Sequence, residues 1–209
     1  MFDLVLPVEC GGCGAPSTNW CDACAATFTV HTDEPHLVTP RIEPGVPVFA
    51  LGRYVGPRRQ AIVAVKEHGR RDLVVPLARA LALGIHQLVS WGILDTPCTI
   101  VPAPTRALAA RRRGGDPVTR VAQRATQNHP EIVVVQALRT RAMVRDSVGL
   151  TSADRERNLT GRVKITKSVG GDVLLVDDIV TTGATAREAV RMLQKIGANV
   201  TAVLTLAQA

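Results

Sequence analysis

Apolar positions along the chain fall into short runs separated by helical stripes. Val48 to Tyr54 predicts a short strand, and Pro57 opens a helix that runs to about Glu67 and is ended by Gly69. Leu73, Leu77, Ala80, Leu81 and Leu88 form the packed face of a second helix, with Asp72 in place to cap it. Thr99 to Val101 and Ile132 to Val135 read as β-branched strands. Between them Asp116 and Pro117 suit the cap and first turn of a helix reaching about Asn128. After a turn at Gly149, a helix capped by Thr151 or Ser152 is expected. Val173 to Val176 is a run of four apolar residues, as in a strand buried on both faces of a parallel sheet. Ala186, Ala189, Val190, Leu193 and Ile196 then make a helical stripe closed by Gly197, and Val200 to Leu206 supplies a closing strand. Strands alternating with helices predict an α/β fold, a parallel sheet flanked by helices.

The first 45 residues depart from this pattern. Thr32 to Pro47 holds four prolines (Pro35, Pro40, Pro44, Pro47) without lasting periodicity and reads as a linker. A boundary near Gly45 divides residues 1–45 from a main domain at 46–209. Ahead of the linker stand Cys10, Cys13, Cys21 and Cys24, two Cys-x-x-Cys pairs with glycine at 11, 12 and 14. Each pair offers two sulfurs from one tight turn, and four thiolates complete a closed tetrahedral shell, so Zn²⁺ in a structural knuckle is expected. Disulfides are disfavoured in a cytoplasmic protein, and a redox motif needs only one pair. Cys98, in apolar surroundings, reads as a core residue.

Hydrophobic content of 46% with mixed charge indicates a globular chain. The N-terminus lacks a basic region followed by an apolar core, and no uncharged apolar run reaches membrane-spanning length, so the expected location is cytoplasmic. The net charge is +7, and residues 102–162 alone, with twelve arginines, no lysine and five acids, carry a surplus of that size. Such a segment either attracts polyanions or presents solvated helix faces.

Val173 to Thr185 carries the chemistry: an apolar run, the acids Asp177 and Asp178, then a loop of small hydroxyl residues and one glycine before a helix. Ligands of open parallel sheets sit beyond the carboxyl ends of the strands. A helix N-terminus offers unpaired N–H groups and a positive dipole end, so Thr181–Thr185 can hold a phosphate. Gly183 permits close backbone approach, and the three threonines add donors. Two carboxylates would repel that phosphate unless aimed elsewhere, and ribose hydroxyls are their natural target. An ordinary turn with an exposed acid pair is the plainer alternative.

This stretch resembles the PRPP-binding signature of type I phosphoribosyltransferases across all thirteen positions. The resemblance implies a phosphoribosyltransferase-like sheet. It implies that Asp177 and Asp178 hold the ribose 2′- and 3′-hydroxyls, and that Thr181, Thr182, Gly183, Ala184 and Thr185 hold the 5-phosphate of phosphoribosyl pyrophosphate (PRPP). With the four-cysteine knuckle in front and Lys66-Glu-His-Gly69 between two helices, the chain is similar to the ComF family, associated with DNA uptake in competent bacteria. Lys66 then reaches a phosphate or stands as an exposed helix-end lysine. Pro102-Ala-Pro-Thr-Arg106 looks like the pyrophosphate loop, with Arg106 placed to meet the departing anion. Arg111 and Arg112 follow it. The family's Arg-Gly-Phe-Asn-Gln is here Arg113-Gly114-Gly115-Asp116-Pro117, and its frequent glutamine is here Ser147. Arg155, Arg157 and Asn158 match its Arg-x-x-Asn pattern or form a solvated helix.

Two functions follow. One is an enzyme in which a nitrogen nucleophile displaces pyrophosphate from PRPP, with Mg²⁺ on the ligand oxygens and Arg106 assisting departure. The other is a binding module for PRPP or single-stranded DNA. The arginine surplus favours it, and the scarcity of aromatic residues, six in all, does not. The absence of a P-loop or Gly-x-Gly-x-x-Gly argues against ATP hydrolysis and dinucleotide binding.

Overall fold

The computed structural model describes residues 8–104, 115–140 and 163–209. In these the chain runs α1 (Asp22–Ala26), β1 (His36–Val38), β2 (Val48–Ala50), α2 (Gly56–Glu67), α3 (Val74–Ser90), β3 (Cys98–Pro102), α4 (Pro117–Ala125), β4 (Ile132–Val134), β5 (Leu138–Thr140), β6 (Val163–Ile165), β7 (Asp172–Val180), α5 (Ala184–Gln194) and β8 (Asn199–Gln208). Six strands form one sheet in the order β1-β2-β8-β7-β3-β4. Only β1 is antiparallel to its neighbour; every other pairing is parallel. The α/β class expected from the sequence is therefore present. β5 and β6 make a separate antiparallel ribbon.

The apolar run that announced β7 is interior. Leu174 and Val176 point into a core shared with α2, α3 and α4, while Val173 and Leu175 point into a second core packed under α5. All four are at most 1% exposed, and a buried side chain of this size is worth about 1.5–3 kcal/mol relative to exposure. The strand is longer than its apolar run, because register with β8 carries it past the acids from Asp177↔Thr205 to Val180↔Gln208. β8, expected as a closing strand, lies inside the sheet between β2 and β7.

Two local expectations are corrected. The segment read as linker contains β1, whose three residues pair with β2, and Ile42 N–H donates to the Thr182 carbonyl at 2.8 Å. A three-residue edge strand is too short to leave a period in the sequence. Asp72 does not cap α3, which starts at Leu73 without a side-chain cap. The Arg70 guanidinium takes both carboxylate oxygens instead, at 2.9 and 2.6 Å, and a two-pronged charged contact outcompetes a lone backbone N–H. Asp116 does cap α4, accepting from Thr119 N–H at 3.0 Å with Pro117 in the first turn. Asp116 and Pro117 thus build a helix start. Cys98 is a core residue, its thiol pushed up by burial.

The N-terminal segment is stitched to this frame by Arg58 of α2. Its guanidinium stacks 4.5 Å over the Phe28 ring, donates to the Thr27 carbonyl at 2.6 Å and reaches the Leu206 carbonyl of β8 at 3.2 Å. No described helix is long and apolar enough to cross a membrane.

Candidate functional site

From β3 the chain passes through α4 to β4 on one side, and from β7 through α5 to β8 on the other. α4 and α5 pack on opposite faces of the sheet. The carboxyl ends of β3 and β7 therefore flank a topological switch point, the usual crevice for ligands in such sheets.

Strand geometry separates the two acids. Successive side chains of β7 alternate faces, so Asp178 follows Leu174 and Val176 toward α2, and Asp177 follows Val173 and Leu175 toward α5. Asp177 lines a cavity of about 150 Å³ together with Thr181, Thr182, Gly183, Ala184 and Thr185. Its Oδ1 accepts from Asp178 N–H at 2.8 Å. Burial, and after it the Asp178 charge, push the Asp177 carboxyl well above the ordinary range, against that hydrogen bond and the charge of Lys66.

Asp178 instead receives Lys66, whose Nζ lies 2.7 Å from Oδ2. Burial pulls the Lys66 ammonium down, but Asp178, then Asp177 and Glu67, leave it above the usual lysine value. Lys66 sits in the last turn of α2, where the carbonyl end of the helix also favours a cation. Gly69 takes the left-handed turn that ends this helix (φ +67°). No spacing in the sequence connects residue 66 with residue 178; only the packing of α2 on β7 does.

Gly183 caps α5 in the left-handed region, φ +86°. The close approach it permits is made by the chain itself: a Cβ there would stand 2.1 Å from the Ile42 carbonyl oxygen and 2.9 Å from Pro40 Cβ. Residues 40–42 thus brace one side of the loop, while Thr182 Oγ1 accepts from Ala184 N–H at 3.4 Å. Gly183→Ala is expected to cost about 2–3 kcal/mol through strain and displacement of this brace, a Tm loss of roughly 5–10 °C in a scanning calorimeter. An unchanged Tm would show that the brace contributes nothing.

The cysteines converge. Sγ atoms of Cys10, Cys13, Cys21 and Cys24 all lie within 4.8 Å of one another, and none is disulfide-bonded. Cys10–Cys21 and Cys13–Cys21 are 3.7 and 3.6 Å apart. Sulfurs bound tetrahedrally at about 2.3 Å from one zinc would be about 3.8 Å apart, so the donor set fits. Burial opposes ionisation of Cys10, yet N–H groups of Cys21, Cys13 and Gly12 bring it down to about 6. Burial and the neighbouring sulfurs push Cys24 far up. A Cβ on Gly12 would meet Cys24 Sγ at 2.6 Å, which explains glycine inside the first pair. Four such cysteines can hold a metal such as zinc. Arg70 fastens the knuckle, donating to the carbonyls of Glu9 and Asn19 at 3.1 and 3.4 Å.

Arg106, Arg111, Arg112, Arg113, Gly114, Ser147, Gly149, Thr151, Ser152, Arg155, Arg157 and Asn158 lie outside the described residues.

Fold and clusters define a mostly parallel α/β protein with a compact four-cysteine group in front. The chain is 28% identical over 166 residues to Competence protein F of Haemophilus influenzae, covering 76% of this chain and 71% of that protein. The resemblance to the ComF family is borne out by this relative. No family model matches. Among solved structures, an orotate phosphoribosyltransferase of Mycobacterium tuberculosis aligns at 17% identity and a TM-score of 0.40, covering 87% of this chain and 82% of that one. A phosphoribosyltransferase of Corynebacterium diphtheriae aligns at 19% identity and a TM-score of 0.36, covering 88% and 82%.

Proposed function

We propose that this chain binds PRPP across the carboxyl ends of β3 and β7 and transfers its phosphoribosyl group to a nitrogen nucleophile. One observation carries the reading: Asp177 and the loop Thr181–Thr185 border a single cavity beside the switch point. The loop at the start of α5 holds the 5-phosphate through backbone N–H groups and threonine hydroxyls. Asp177 and Asp178 accept the ribose hydroxyls from the two sides of β7. Mg²⁺, a hard cation suited to these carboxylates and to phosphate oxygens, neutralises charge on the pyrophosphate when bound. Arg106 receives the departing pyrophosphate. No side chain need form a covalent bond, so positioning and charge stabilisation supply the rate. In the same reading the knuckle carries Zn²⁺.

Pyrophosphate release from PRPP is the test, run against a panel of bases, amines and ammonia with Mg²⁺. Release with at least one nitrogen acceptor, abolished in Asp177→Asn/Asp178→Asn, is the expected result. PRPP binding without release from any acceptor would leave a binding protein.

A second reading, polyanion handling linked to DNA uptake, has one observation in its favour. Arg139 and Lys164 face each other across β5 and β6, both exposed and without an acidic partner among the described residues. Like charges directly opposite cost stability unless an anion bridges them. The name of the relative, Competence protein F, points the same way. Affinity for single-stranded DNA should then fall steeply with salt, and affinity intact at about 500 mM salt would exclude it.

A further inference from the structure

We propose that Lys66 is a working part of the β7 site: a positioning residue that fixes the Asp178 carboxylate for a ligand hydroxyl. The inference rests on the PRPP reading above and adds a residue from another element to it.

Lys66 Nζ stands 2.7 Å from Asp178 Oδ2. The side chains are 37% and 13% exposed, so the pair is shielded but open to a ligand from one side. A carboxylate offers about four lone-pair positions, and Lys66 engages one of those on Oδ2, so acceptor capacity remains for a hydroxyl. The ammonium keeps donors beyond the one spent on Asp178.

The placement is fixed by the fold. Ala61, Ile62 and Val65 bury the inner face of α2 in the core that receives Leu174 and Val176. His68 and Arg70 N–H both donate to the Ala64 carbonyl, which locks the end of the helix at Gly69. Lys66 is thus held one turn from a closed helix end, opposite Asp178.

Stability alone does not explain the pair, because a partly exposed ion pair contributes little. Orientation does. Asp178 follows directly on Asp177, whose charge opposes its own, and the cation on the α2 side offsets that repulsion. The charged groups whose fields reach Lys66 are Asp178, in contact with it, and after it Asp177 of β7 and Glu67 of α2.

The test is calorimetric PRPP binding with Mg²⁺ to the full chain and to Lys66→Met, Lys66→Gln, Lys66→Arg, Asp178→Asn and Lys66→Met/Asp178→Asn. Lys66→Met and Lys66→Gln should each bind about tenfold more weakly, as loss of a charged hydrogen bond predicts. Lys66→Arg should restore affinity to within about threefold, because it returns the charge. In the Asp178→Asn background, Lys66→Met should cost almost nothing further, since its effect travels through Asp178. Wild-type affinity in both Lys66→Met and Lys66→Gln overturns the inference. So do losses that add in full, which would mean that Lys66 acts independently of Asp178. A wild-type chain that binds no PRPP overturns the functional reading and this inference with it. A wild-type chain that binds while the Lys66 variants bind equally well overturns this inference alone.

Discussion

Asp177→Asn combined with Asp178→Asn is expected to weaken PRPP binding at least tenfold, and about a hundredfold where both ribose hydroxyls lose a charged acceptor. A hydrogen bond to a charged group contributes about 1.5–3 kcal/mol, and each tenfold in affinity is about 1.4 kcal/mol. Titration calorimetry with Mg²⁺ measures it, and an unchanged affinity removes the PRPP assignment. The single variant Asp177→Asn carries an opposite signature in the free protein. Burial and the Asp178 charge raise the Asp177 carboxyl well above the usual range. The unfolded chain therefore gives up this proton at lower pH than the folded one. Stability from this group is complete at low pH and is lost as pH rises from about 4, the unfolded value, through the raised folded value. Asp177→Asn removes that loss. At neutral pH it should raise the Tm, while binding falls. Parallel Tm–pH curves for the two proteins would mean that Asp177 is an ordinary carboxylate.

Loss of a metal held by the four cysteines is expected to be the second large effect. About one zinc per chain is expected on metal analysis, and a strong chelator or Cys10→Ser should unfold residues 8–30 as a unit. Tetrathiolate-type sites in small metal domains bind with roughly 10–16 kcal/mol, far more than the few buried side chains of this segment can replace. Trp20 and Phe28, in edge contact at 5.3 Å, would lose their packing. Arg58 would lose both the Phe28 ring and the Thr27 carbonyl, keeping the Leu206 carbonyl as its described hydrogen-bond acceptor. The defect therefore spreads to β8, and the main transition should drop by more than about 10 °C. Limited proteolysis locates the first opening. A metal-free protein with unchanged Tm and no cleavage in the knuckle would show that the cysteines need no cation.

These two sites were legible to different degrees. Four consecutive apolar residues, two acids and Thr-Thr-Gly-Ala-Thr are contiguous, so strand, loop and helix start could be read from local pattern. The cysteine spacing, likewise local, indicated a knuckle. β1 could not be read, because three residues with no period become a strand only when β2 supplies the partner. Asp72 looked like a cap until Arg70, two residues before it, claimed both of its oxygens.

The sequence by itself determined which residues form the interior strand, where the hydroxyl loop opens α5 and which sulfurs share one ligand shell. These depend on neighbours within a few positions, where side-chain period and backbone preference act directly. Tertiary structure alone decided that Asp178 meets Lys66 while Asp177 faces the loop cavity, and that residues 40–42 brace Gly183. The contacts of Lys66 with Asp178 and of residues 40–42 with Gly183 join positions more than a hundred residues apart. Their geometry comes from how α2 and the edge of the sheet pack on β7, which no local pattern encodes.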